Sequence, residues 1–144
     1  MKIASLATAT AIAACLCIMA LSDRAGAQEP ATLAQDIIAR QIEAFLNDDA
    51  KSAYSFASPT IRQKFPDEAS FFEMVKRGYA PVYRPGNYGF GRSKVSGDVI
   101  LQEVLISASG GKHWTAIYQL VRQSDGSYKI NGVHMSPSKA GSDI

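Results

Sequence analysis

The sequence is poor in the residues on which most site chemistry rests. Its 144 residues hold two cysteines, two histidines and one tryptophan. Both cysteines, Cys15 and Cys17, lie in an apolar N-terminal stretch, so a chain trimmed of that stretch has no thiol. The remainder is thereby denied a cysteine nucleophile, a zinc–thiolate site and any disulfide. His113 and His134 are distant in sequence and have no carboxylate at ligand spacing, so neither a metal nor another cofactor is expected. An excess of one charge is missing too: fifteen Lys and Arg against thirteen Asp and Glu give +2, which is no electrostatic footprint for nucleic acid. Ser58, Ser107 and the other serines sit in no G-x-S-x-G elbow. Gly89-Phe90-Gly91 is followed by neither a helix start nor a lysine–serine pair, so it is no phosphate cradle. What is present, 47% apolar and 19% charged residues, is the composition of one globular domain.

The N-terminus reads as a secretory leader. Lys2 precedes the uncharged stretch from Ile3 to Leu21, and Ala25-Gly26-Ala27 offers the small residues of a cleavage site. Cleavage after Ala27 places the mature chain in the periplasm or outside the cell, with no stable membrane insertion. Two other readings stand beside this one: a membrane anchor, because the stretch approaches the roughly 20 residues that span hydrocarbon, and a lipoprotein signal at Ile12-Ala13-Ala14-Cys15. Cleavage removes Lys2 and Arg24 from the bases and Asp23 from the acids, leaving a net charge near +1. The expected domain runs over 28–137, with a short polar tail over 138–144.

Helices come first. Leu33, Ile37, Ile38, Ile42, Phe45 and Leu46 form one helical stripe, with Thr32 and Gln35 as a capping box at its start. Asn47-Asp48-Asp49 ends it, and Asp49 caps a short second helix. Ser58-Pro59 starts a third and Asp67 a fourth, whose inner face is Phe71, Phe72 and Val75 and whose left-handed C-cap is Gly78. After Gly78 the period changes. Tyr79 to Tyr83 is predicted extended, and Pro85 to Gly91 a long loop. Strands follow over Phe90–Val95, Val99–Ser109, Trp114–Gln123 and Tyr128–Met135, with turns at Gly110-Gly111 and Asp125-Gly126. The parity switch at Asn131-Gly132 signals a bulge. Helices followed by a hairpin-linked antiparallel sheet make an α+β fold. Ile100, Val104 and Ile106 share one face of their strand while Val99, Leu101 and Leu105 share the other, so both faces need cover. A second subunit on the face away from the helices, a homodimer through the sheet, supplies it.

The capped helix ending in Asn47-Asp48-Asp49, the small helices and the closing Asp125-Gly126-Ser127-Tyr128-Lys129-Ile130-Asn131-Gly132-Val133 resemble the nuclear-transport-factor-2-like superfamily, a cystatin-like α+β cone with a cavity. More narrowly, Met74-Val75, Gly78-Tyr79, Pro81-Val82 and Trp114-Thr115-Ala116-Ile117-Tyr118 are similar to the secreted bacterial family called domain of unknown function 4864. The resemblance implies a fold and a dimer habit. It leaves function open among isomerases, dehydratases, ligand binders, adaptors and scaffolds.

The residues favour binding over catalysis. Isomerase chemistry in a cone needs a carboxylate base of raised pKa and a hydrogen-bond donor. The resemblance places that base on a middle strand, where Ile100, Gln102 and Val104 stand. Asp48 and Asp49 read as turn former and cap, Glu103 as a rim or interface carboxylate, and Tyr54, Tyr79 and Tyr118 as donors or core aromatics. The expected ligand-binding rim is Tyr79, Tyr83, Arg84 and Tyr88, with Tyr118 from the sheet, taking a small apolar or carboxylate-bearing ligand that Arg84 fixes. The functional expectation is a non-catalytic binding or interaction module. A cavity enzyme of ketosteroid-isomerase or dehydratase type and a purely structural dimer are the alternatives.

Overall fold

The computed structural model describes residues 29–138. The expected leader with Cys15, its cleavage point after Ala27 and residues 139–144 of the expected tail lie outside the described residues, whereas Ser138, expected to begin that tail, is the last residue of the final strand and pairs with His113.

Helix α1 (Pro30–Leu46) buries Ile38, Ile42 and Phe45 of the expected stripe, but its inner face is completed by Ala34, Gln41 and Ala44, while Leu33 and Ile37 are half-buried and Leu46 is exposed. It begins earlier than the capping box implied. Pro30 occupies its first turn, and Thr32 and Gln35 are already helical, so no side-chain cap forms. A proline with its φ preset for the helix suffices there. Asp48 follows the helix at φ 53°, a left-handed position that a short polar side chain tolerates. Three caps form as expected. The Asp49 carboxylate accepts from Ser52 N–H at 3.0 Å ahead of α2 (Ala50–Ser55), Ser58 Oγ from Ile61 N–H at 3.2 Å ahead of α3 (Pro59–Lys64), and Asp67 from Ser70 N–H at 2.7 Å ahead of α4 (Glu68–Gly78).

Three expectations around Gly78 are overturned. Gly78 is the last residue of α4 and is not among the glycines with positive φ; Tyr79 closes the helix at φ −134°, its N–H donating to Val75 O at 2.8 Å. Tyr79 to Tyr83 is not extended, because Ala80–Tyr83 forms the single turn α5 with Pro81 near its start. Proline's φ suits a first helical turn as well as a strand, so its presence did not discriminate. The long loop over Pro85–Gly91 does not exist either. Strand β1 (Asn87–Ser96) starts at Asn87, and Gly86 N–H already reaches Ser107 O at 2.9 Å.

β1 continues as an antiparallel meander through β2 (Val99–Ser107), β3 (His113–Arg122) and β4 (Tyr128–Ser138), in the spatial order of the chain. The turns use Gly97, Gly110, Gly111 and Gly126, all at positive φ. In the register, Gln102 faces Tyr118 and Tyr118 faces Val133. The expected bulge is present: Leu120 pairs with Ile130 and Gln119 with Gly132, which leaves Asn131 as the extra residue. A second bulge had no signal in the hydrophobic pattern. Phe90 pairs with Val104 and Ser93 with Gln102, so Gly91 and Arg92 together oppose Glu103. Fully buried Gln102 secures it, accepting from Ser93 and Gln35 and donating to Gly91 O at 3.3 Å.

The inner face of this sheet, with Ile100, Val104, Ile106, Ala116 and Leu120, is buried with the helices in one core. The outer face leaves Leu101 and Leu105 exposed at 37% and 45%. The fold is α+β. Among the described residues, no helix is long and apolar enough to cross a membrane.

Candidate functional site

A cavity of about 390 Å³ opens between the helices and the β3–β4 half of the sheet. Its helical wall is Gln41 and Phe45 of α1, Ile61 and Lys64 of α3, and Phe71, Met74 and Val75 of α4. Tyr79 and Val82 close one side, and Tyr118, Ile130 and Val133 form the sheet wall. The local sequence explains this gap. Ser58-Pro59 and Phe65-Pro66 hold α3 to six residues. The Asn131 bulge is tied to the helical layer, with Ser58 Oγ donating to Asn131 Oδ1 at 2.8 Å while Asn131 Nδ2 donates to Gln119 Oε1 at 3.0 Å. Tyr54 O–H fixes the end of α3 by donating to Phe65 O at 2.6 Å.

The lining is mostly hydrocarbon and aromatic, with few polar groups. Tyr118 is fully buried, and its hydroxyl has no hydrogen-bond partner among the described residues. Burial pushes its pKa above the ordinary phenol value, and the nearby Tyr88 phenol adds to the shift. The hydroxyl is therefore a donor at any physiological pH. Gln41 holds its place by donating to Ala53 O at 3.1 Å. Lys64 is the charged residue of the lining, and no carboxylate or histidine belongs to it. Among the described residues, no cluster of three or more His, Cys, Asp or Glu converges as a metal site.

The sequence-predicted rim does not come together as one surface. Tyr79 and Tyr118 line the cavity; Tyr83, Arg84 and Tyr88 do not. The turn of α5 sends Tyr83 against Phe45 and Phe72, with ring centroids at 6.4 and 5.6 Å. The Tyr83 hydroxyl donates to Asp48, and Arg84 donates to Phe45 O and, at 2.8 Å, to the Asp48 carboxylate. These bonds hold the Asp48 carboxyl below the usual carboxylate range, the tyrosine bond first and the guanidinium next. Tyr88 leaves on β1 and packs edge-on against Phe90 at 5.9 Å. Glu103 lies on the outer face, where the Arg92 N–H at 3.0 Å and the Arg92 side chain lower its pKa. His113 meets Ser107 at 3.2 Å, and His134 is exposed on the outer face opposite Ile117.

Sequence reasoning passed over Lys64 and Val133. Ile61, Lys64 and Phe65, at helical spacing after the Ser58-Pro59 start, were the available signal.

Comparison with known proteins agrees with this architecture. A crystallised NTF-2 like protein of unknown function from Silicibacter pomeroyi DSS-3 superposes with a TM-score of 0.52 at 11% identity, covering 74% of this chain and 94% of that one. At that identity the likeness is one of fold. No curated protein matches the chain. A family described as domain of unknown function (DUF4864) matches residues 27–142, from the helical layer through the last strand. With most of its length so covered, the chain belongs to the DUF4864 family and carries an NTF-2-like fold.

Proposed function

We propose that this protein is an exported, homodimeric module that holds a small apolar or carboxylate-bearing molecule in its cone without transforming it. The observation that carries the reading is the cavity itself. About 390 Å³ of space lined by Phe45, Phe71, Val82 and Val133 falls within the roughly 300–1,000 Å³ of ligand pockets. A scaffold with no ligand gains nothing from leaving such a gap in its core. Lys64 at the cavity takes the cationic part first expected of Arg84, which is engaged with Asp48 and Phe45. The alternative of isomerase-like catalysis is weaker, because the lining offers a phenol donor but no carboxylate or histidine to take a proton.

The leader supports export, and the outer sheet face supports the dimer. Val99, Leu101, Leu105, Ile117 and Val121 lie together there in the strand register, which suits a self-complementary two-fold contact. Native mass spectrometry of the mature chain, purified from a periplasm under mild conditions, tests all three parts. The expected result is a dimer that starts at Gln28 and carries a small mass lost on denaturation. A bare dimer would sink the binding reading, and a bare monomer the dimer as well.

A further inference from the structure

Gln41 is a polar side chain on the buried face of α1, 3% exposed, and it lines the cavity. The fold explains half of its carboxamide. Nε2 donates to Ala53 O at 3.1 Å, and that carbonyl stands in the last turn of α2, where a short helix leaves its carbonyls without donors of its own. The bond also fixes the way the amide faces, because a flip would set Oε1 against Ala53 O, acceptor against acceptor. Oε1 has no such explanation. Among the described residues nothing donates to it: Asn131 Nδ2 is turned to Gln119 Oε1, the Tyr118 hydroxyl has no partner at all, and the side chains of Lys64, Tyr79 and Tyr88 make no bond to it. Nor is Oε1 sealed off. The Tyr118 hydroxyl is the one side-chain polar atom among the described residues that is both unpaired and without accessible surface. The unpaired Oε1 therefore keeps surface, and the space that Gln41 borders is the cavity. Water satisfies Oε1 when the cone holds no ligand, but a molecule that displaces this water must return the hydrogen bond or lose affinity.

We propose that Gln41 is a specificity-determining hydrogen-bond acceptor of the cone, and that the ligand is an apolar acid that also carries an alcohol or N–H donor. The donor meets Gln41 Oε1 at the buried wall, and the carboxylate faces the exposed Lys64 ammonium. A carboxylate at the buried wall would set oxygen against oxygen, so Gln41 also selects which end of the molecule goes in. This rests on the binding reading above and narrows it to a ligand class.

The test uses three probes, 2-naphthoate, 6-hydroxy-2-naphthoate and 6-methoxy-2-naphthoate, alike in ring and carboxylate. The hydroxy probe alone carries a donor at the far end; the methoxy probe has the same oxygen without its hydrogen. Affinities are measured by calorimetry on the mature protein and on Gln41→Met, which keeps the length of the side chain and removes the acceptor. One hydrogen bond in a dry site is worth about tenfold in affinity. The expected result is that wild type prefers the hydroxy probe to both others by that factor and that Gln41→Met abolishes the preference. The comparison of hydroxy with methoxy in wild type stands even if the variant, deprived of its tie to Ala53, does not fold. Equal affinity for those two probes in wild type, or a preference that survives in Gln41→Met, would overturn the role of Gln41 while leaving the cavity a binding site. Failure of all three to bind wild type would overturn the ligand class, and together with a bare mass in the native experiment it would overturn the binding reading itself.

Discussion

Two residues in this chain stand where their chemistry is awkward, and each yields a measurable consequence. Tyr118 keeps a hydroxyl in the core without a hydrogen-bond partner among the described residues. Removing that hydroxyl strands nothing, so the ligand-free Tyr118→Phe protein is expected to gain about 1 kcal/mol in a urea unfolding curve. A loss of similar size would mean that the phenol has a partner. Asp48 holds a left-handed backbone at φ 53° while binding Tyr83 and Arg84. Asparagine tolerates the same φ, so Asp48→Asn removes the charge and little else, whereas Asp48→Ala adds backbone strain and should melt lower. The folded pKa of Asp48 lies below its ordinary 3.8, so its stabilising contribution is complete above that value and disappears as pH falls through the lower, folded value. The gap in melting temperature between wild type and Asp48→Asn is thus expected to stay level from neutral pH to about pH 5 and to narrow below pH 4. A gap that does not narrow would assign the contribution to something other than the carboxylate charge. The pairing with Tyr83 and Arg84 was not legible in the sequence, because it spans 35 and 36 residues and depends on the turn of α5.

Among the elements, the short ones decide the shape of the site. Helix α3 and the β4 bulge hold each other through one hydroxyl: Ser58 caps the helix and also donates to Asn131. Ser58→Ala removes the cap and the tie together, so the cost is expected at the upper end of the roughly 0.5–2 kcal/mol of a lost N-cap. Unfolding curves of Ser58→Ala and Asn131→Ala, alone and combined, separate the two contributions, and strict additivity would deny the tie. The longer elements were legible for a simple reason. The stripe of α1 and the glycine turns of the meander write their periods directly into the chain. Ser58, Asp49 and Asp67 were legible as caps, and Asn131 as a bulge, because each acts within a few residues. The second bulge at Gly91 and Arg92 was not, since it depends on the side chain of Gln102 on the neighbouring strand. The single turn of α5 escaped because four residues are too few to show a period, and with it went the expectation that Tyr79, Tyr83, Arg84 and Tyr88 share a surface.

On the scale of the whole molecule, the sheet presents two different apolar faces. Tyr118, Ile130 and Val133 turn inward to the cavity, while Leu101, Leu105 and Ile117 turn outward. Strand parity makes this division possible, because a residue change on one face leaves its neighbours on the other untouched. The two-faced pattern of Val99–Ser107 announced in the sequence that both faces carry apolar side chains, although the sequence alone did not say which residues from α3 and α4 would complete the cavity. Glu103 on the outer face is paired with Arg92, but if that face joins two copies, an added carboxylate with no cation of its own should separate them without emptying the cone. Leu105→Glu places a carboxylate at an exposed position opposite Thr115, so the monomer tolerates it, whereas a symmetric contact would bury two such charges together. Light scattering after size exclusion is expected to give a dimer for wild type and a monomer for Leu105→Glu. The variant is expected to keep the small mass that wild type carries in native mass spectrometry. A dimer that survives Leu105→Glu would move the contact off this face. A monomer that no longer binds would mean instead that the second subunit shapes the cone, and that the two faces do not act independently.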